Sequence, residues 1–93
     1  MNKKELAERV AKSKGISRNL ALDITNEIFD IIAESMEEEE RVQIIGFGTF
    51  DIKLMSEKQG RNPHTGERIL IPAHTGPTFR AGKQLKDRVT RTI

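Results

Sequence analysis

The run Lys58-Gln59-Gly60-Arg61-Asn62-Pro63-His64-Thr65-Gly66-Glu67-Arg68 sets three cations around a proline. These residue types suit holding a polyanion rather than making or breaking bonds. Pro63 fixes φ near the value a turn's second residue needs, Asn62 can bond back to the turn backbone, and Gly66 can take a positive φ. The stretch is therefore predicted to be the tip of a β-hairpin. Taken alone, an ordinary exposed hairpin explains it equally well. With arginines beside the proline, a second reading is available: a basic two-stranded ribbon can lie in a nucleic-acid groove, its cations on phosphates and an apolar wedge between base pairs.

The elements that position this tip are strands predicted over Phe50 to Glu57 going out and Arg68 to Ala73 coming back, with apolar residues thinning toward the tip. Pro72 and Pro77 mark the returning strand as an edge. Upstream, Arg41 to Ile45 is predicted as a strand and Gly46-Phe47-Gly48 as a tight turn. A bare Gly-x-Gly is weak evidence for a phosphate cradle, and the hairpin turn is preferred. Phe47, Phe50 and Phe79 are read as core residues rather than base-stacking platforms, and the chain has no Trp or Tyr.

Helical signals fill the first 40 residues. Asn2 caps a first helix with Glu5 three positions on, Leu6, Ala7, Val10 and Ala11 form its apolar stripe, and Gly15 ends it. Ser17 caps a second helix running to about Met36, whose apolar face is wider than one short helix and a small sheet would cover. Part of that face is expected to meet a second copy of the chain. Glu37-Glu38-Glu39-Glu40 follows as a solvated turn, since nothing converges on it to make a catalytic pair or a metal site. Near the end, Gly82 is predicted to start a short helix with Leu85 and Val89 packed inward and Lys83 and Lys86 left to solvent, a surface suited to phosphate.

Composition narrows the function. The 93 residues are 35% hydrophobic, enough for one domain with little core of its own, so a partner subunit is expected. There is no cysteine, and the isolated His64 and His74 form no ligand cluster, so neither a disulfide, a metal nor a cofactor is expected. The amino terminus does not read as a signal peptide and no long apolar run follows, which predicts a soluble cytoplasmic protein. The net charge of +2 conceals a division: residues 1 to 52 carry −4 and residues 53 to 93 carry +6. Such polarity points to a basic binding face on the second half. No nucleophile, base and orienting group can be assembled, so an enzyme is not expected.

Taken together, Gly46-Phe47-Gly48-Thr49-Phe50, Gly60-Arg61-Asn62-Pro63, Thr65-Gly66, Phe79, Gly82-Lys83 and Leu85-Lys86-Asp87 resemble the bacterial HU/IHF histone-like DNA-binding proteins, HU most closely. The similarity runs from Asn2 to Val89 without gaps. It implies an α+β chain in an intertwined homodimer, with a helical base, a β-sheet saddle, two extended hairpin arms and a short C-terminal helix. Residues 1–93 would form a single domain, with 1–40 as the helical dimerisation part, 41–80 as sheet and arm, and 81–93 as the C-terminal helix. The resemblance implies a dimer core of Ile28, Phe29, Ile32, Ile44, Phe47, Phe50 and Phe79. It makes Pro63 the intercalating wedge, with Arg61 and Asn62 beside it in the minor groove. That wedge mechanism is the family's own, carried over by matching positions. Lys53, Lys58 and Arg68 would follow phosphates along the arm, and Lys3, Arg80, Lys83 and Lys86 would hold DNA against the body.

The implied function is architectural: binding duplex DNA with low sequence specificity, preferentially where it is bent, nicked or gapped, bending and compacting it in the nucleoid. Alternatives are sequence-preferring bending of the integration host factor type, or a dimeric module that grips a protein. Four positions depart from the family's usual residues. Met55 and Lys58 stand where arginine is common, so the arm has fewer guanidinium forks. Glu39 replaces a glycine, at a cost of roughly 1 kcal/mol if its backbone is left-handed. Gly76 replaces an apolar residue, which is expected to loosen the strand joining arm to body.

Overall fold

The structure, a computed structural model, describes residues 1–93. Two helices come first, α1 (Lys3–Lys14) and α2 (Arg18–Glu37). Strands β1 (Val42–Ile44), β2 (Gly48–Met55), β3 (Lys58–Arg61), β4 (Arg68–Ile71) and β5 (His74–Ala81) follow, and α3 (Lys83–Val89) closes the order. No helix is long and apolar enough to cross a membrane.

The helix limits are set locally, as the sequence predicts. Asn2 Oδ1 accepts from the Glu5 N–H at 2.8 Å, satisfying a donor the first turn would leave unpaired. Glu5 does not complete a reciprocal box; its carboxylate lies 4.0 Å from the Met1 ammonium instead. Gly15, at φ 66°, turns the chain out of α1. Ser17 Oγ then accepts from the Leu20 N–H at 3.1 Å and starts α2. Between the helices lie Ala7, Ala11 and Ala21, all buried, flanked by Ile16 and Leu22. Small side chains let the two backbones approach, and the buried Thr25 hydroxyl is satisfied by donating to the Ala21 carbonyl at 2.7 Å.

At the far end of α2, Glu39 has φ 59°. Its N–H donates to the Met36 carbonyl and the Glu40 N–H to the Ser35 carbonyl, the two bonds of a Schellman closure. Glycine suits this left-handed position, so Glu39 holds the strain expected of it. Glu39→Gly is expected to raise the unfolding free energy by about 1 kcal/mol. Denaturant melts compared with Glu39→Gln separate strain from charge; equal midpoints for the two variants would place the effect in the glutamate repulsion.

The body sheet has the order β1-β2-β5, antiparallel throughout, so β5 with Pro77 is an edge strand. Phe50 faces Phe79 across the ladder, with ring centroids 4.9 Å apart and Phe47 5.5 Å from the same ring. Gly48 is required beneath them, since a Cβ there would stand 2.6 Å from the Arg80 carbonyl oxygen and 2.7 Å from Phe79 Cε1. Gly76 leaves the β5 ladder continuous. It pairs with Lys53 inside an unbroken ladder, and the Met55 side chain lies over the space a Cβ would fill.

Three expectations are corrected. The arm is not a continuation of the body ladder: pairing stops at Ser56-Glu57 and Pro72-Ala73 and resumes as a separate two-stranded ribbon, β3 with β4. Pro72 has no N–H to give to a partner strand, which explains why the break falls there. The arm also carries an apolar patch, because Ile69 and Ile71 fold over Gly60. Likewise Val89 does not pack inward; it is exposed, while Leu85 is half-buried.

No large side chain is fully buried in the single chain, and Ile24, Ile28, Phe29 and Ile31 of α2 are all exposed. The chain exposes 8163 Å², against about 5,400 Å² for a compact monomer of its 10.5 kDa mass. Its radius of gyration is 18.2 Å, where about 12 Å is expected of a 93-residue globule. The apolar surface of α2 and the sheet is thus displayed rather than enclosed.

Candidate nucleic-acid interface

Side chains alternate across a strand, so the paired register divides the sheet into two faces. Phe50, Ile52, Phe79 and Pro77 share the face toward α2, where Ile52 and Pro77 border a gap lined by Ala33 and Met36. Thr49, Asp51, Lys53, Thr78 and Arg80 share the opposite face. Two of the expected cations, Lys53 and Arg80, are therefore brought together on a polar surface.

The arm tip is closed by its own side chains. The Asn62 N–H donates to the Glu67 carbonyl and the Gly66 N–H to the Asn62 carbonyl, both at 2.8 Å. Asn62 Oδ1 accepts from the His64 N–H at 2.8 Å, and Thr65 Oγ1 from the Glu67 N–H at 3.3 Å. Gly66 supplies a φ of 73°. Pro63 takes no part in these bonds and is exposed at the apex. Half-buried Asn62 spends its carbonyl oxygen on the turn, so its first task is to shape the tip.

Below the tip, Arg61 stands directly opposite Arg68. Like charges facing each other across a ladder destabilise it unless an anion lies between them, and no carboxylate lies within ion-pair distance of either guanidinium. Lys58 pairs with Ile71 and alternates onto the other face of the ribbon, so the arm's cations do not form one row. Cations on both faces suit a groove, which has a phosphate strand along each wall.

The remaining expected residues form two further groups. Lys83 and Lys86 are exposed on α3, whose start is tied to the β1–β2 turn by the Gly82 N–H donating to the Phe47 carbonyl at 2.8 Å. That bond fixes where α3 starts and hence where its two lysines stand. Lys3 belongs to the helical side, its Nζ 5.7 Å from the Phe29 ring centroid.

Sequence reasoning missed the state of Arg80. Its guanidinium lies 3.3 Å from Asp51 Oδ2, the only ion pair between side chains in the chain. The pair is diagonal, Asp51 facing Thr78 and Arg80 facing Thr49, so only the strand register reveals it. Arg91 is also occupied, donating to the carbonyls of Arg88 and Thr90.

The chain matches the family model described as "Bacterial DNA-binding protein" over residues 1–90. DNA-binding protein HU-1 of Halalkalibacterium halodurans is 48% identical over 89 residues, spanning 96% of this chain and 99% of that protein. DNA-binding protein HU of Geobacillus stearothermophilus is 44% identical over the same shares. Among solved structures, the HU of Anabaena in a cocrystal with DNA superposes with a TM-score of 0.88 at 33% identity, covering 99% of this chain and 100% of that one. The match runs through the helices, the sheet and the arm alike, and the chain belongs to the bacterial DNA-binding protein family, the family of the HU proteins.

Proposed function

We propose that this protein is a non-enzymatic, nucleoid-associated architectural protein that binds duplex DNA through the minor groove with little sequence preference and bends it. The observation that carries this reading is the arm: a basic ribbon with Arg61 facing Arg68, no carboxylate to neutralise them, and Pro63 exposed at a self-braced tip. A cationic ribbon of this kind holds phosphates, and an apolar ring at its apex can enter a base step. The likeness to an HU that crystallised with DNA supports the assignment.

Residues 1–93 act as one unit in this reading, and two copies make the working protein. A second copy covers Ile28, Phe29 and Ile32 of α2 together with Ile44 and the aromatic cluster, accounting for the large exposed area of one chain. The dimer presents two arms to a single duplex. Arg61, Asn62 and Pro63 enter the groove, while Lys53, Lys58, Arg68 and Arg80 meet phosphates along arm and saddle. Lys83, Lys86 and Lys3 hold the flanking duplex.

Bending costs less where the duplex is already interrupted. Gel-shift titrations of intact and nicked duplexes of one sequence are expected to show tighter binding to the nicked one. With ten or so phosphates neutralised across the dimer, affinity for either is expected to fall on the order of 100,000-fold between 50 and 200 mM salt. Equal affinity for the two duplexes refutes bending, and affinity indifferent to salt refutes phosphate binding.

A further inference from the structure

We propose that Asp51 is a positioning residue that holds Arg80 on the sheet face and must yield it to a DNA phosphate, so that this one carboxylate lowers both the affinity for DNA and its dependence on salt. The inference rests on the DNA-binding reading above. Asp51 is the sole carboxylate on β1, β2 and β5, and it lies on the face that carries Lys53 and Arg80. A bare acid there repels phosphate. Its effect on Arg80 is more specific.

The two partners are held unequally. Asp51 Oδ1 accepts from the Ile52 N–H at 2.8 Å, which ties the carboxylate to the strand. Arg80 reaches the other oxygen through one nitrogen at 3.3 Å, and its side chain is 61% exposed against 31% for Asp51. A single long contact between partly exposed groups is weak and readily exchanged. Arg80 is therefore the partner that moves, and a phosphate arriving at the saddle takes it while Asp51 stays in place.

The exchange has a signature in salt. A free cation that meets a phosphate releases a condensed counterion from DNA, which steepens the fall of affinity with salt. When Arg80 leaves Asp51 for a phosphate, the carboxylate it abandons takes up a cation, and the net release at that position falls toward zero. Removing the carboxylate charge restores the release.

The test is a set of duplex titrations from low to moderate salt with the full-length protein and the variants Asp51→Asn, Asp51→Glu, Arg80→Ala and the double variant Asp51→Asn/Arg80→Ala. Asn keeps an acceptor for the Ile52 N–H and loses only the charge. Asp51→Asn is expected to bind about 3- to 10-fold more tightly at low salt, with a slope steeper by about one ion per subunit, and Asp51→Glu to behave as the parent. The gain is expected to shrink to the general repulsion of an unpaired acid when Arg80 is alanine. Unchanged affinity and slope in Asp51→Asn overturn the proposal. So does a gain that survives in full in the double variant, which makes Asp51 a bare repelling charge, or an Asp51→Glu that behaves like Asn, which makes the effect one of shape. A parent protein that shows no salt-dependent binding defeats the DNA reading itself, and this inference with it.

Discussion

Phe79→Ala is expected to lower the unfolding free energy by at least about 3 kcal/mol, the lower end of the range for an aromatic truncated in a closed core. Phe79 lies between the other two sheet aromatics, 4.9 Å from Phe50 and 5.5 Å from Phe47, in tilted contacts that add to simple area burial. Gly48 lies directly beneath the ring and has no side chain with which to fill the space that truncation would open. In one chain, however, Phe79 is still 40% exposed. A ring partly in water gives up correspondingly less on truncation, about 2 kcal/mol or below. The size of the loss therefore reports whether a second copy covers the cluster. Denaturant unfolding at several protein concentrations checks both points, because folding linked to association gives midpoints that rise with concentration. A loss under about 1 kcal/mol, with midpoints independent of concentration, would remove the aromatic cluster from the shared core.

Much of this fold is written in short-range signals. Asn2, Gly15 and Ser17 act within one helical turn of themselves, so their capping roles follow from sequence and recur in the structure at hydrogen-bond distance. The Asn62–Gly66 turn is legible for the same reason. The strain at Glu39 also became visible, through a resemblance that marks the position as one for glycine. What stayed hidden depends on which residues face each other across strands. The break between body sheet and arm requires Pro72 to lie opposite the Ser56-Glu57 segment. The engagement of Arg80 requires Asp51 one step away on the neighbouring strand. The split of Lys58 from Arg61 and Arg68 depends on the parity of the arm ladder, which a one-residue slip would reverse. Val89 was misplaced because an apolar residue on a seven-residue helix carries no local sign of whether anything lies over it.

Anchoring and bending are expected to separate at the arm tip. Arg61→Ala with Arg68→Ala removes two guanidiniums that no carboxylate engages, each worth about 1.5 kcal/mol or more in charge-assisted bonds to phosphate. A dimer loses four such guanidiniums, so affinity for duplex DNA is then expected to fall on the order of 10,000-fold, and the salt slope to flatten by roughly two ions per subunit. The double variant also relieves the repulsion between facing cations, so the ribbon itself should not unfold. Pro63→Ala leaves every hydrogen bond of the tip in place, since none involves Pro63. It keeps the phosphate contacts and removes the rigid ring from the apex. Its affinity is expected to stay within about tenfold of the parent, while the bend, read by energy transfer between labelled duplex ends, decreases. The two variants thus act on different quantities. An undiminished bend with Pro63→Ala would remove the wedge role from the proline, and an unchanged salt slope with the arginine pair replaced would move phosphate binding away from the arm to the saddle and α3.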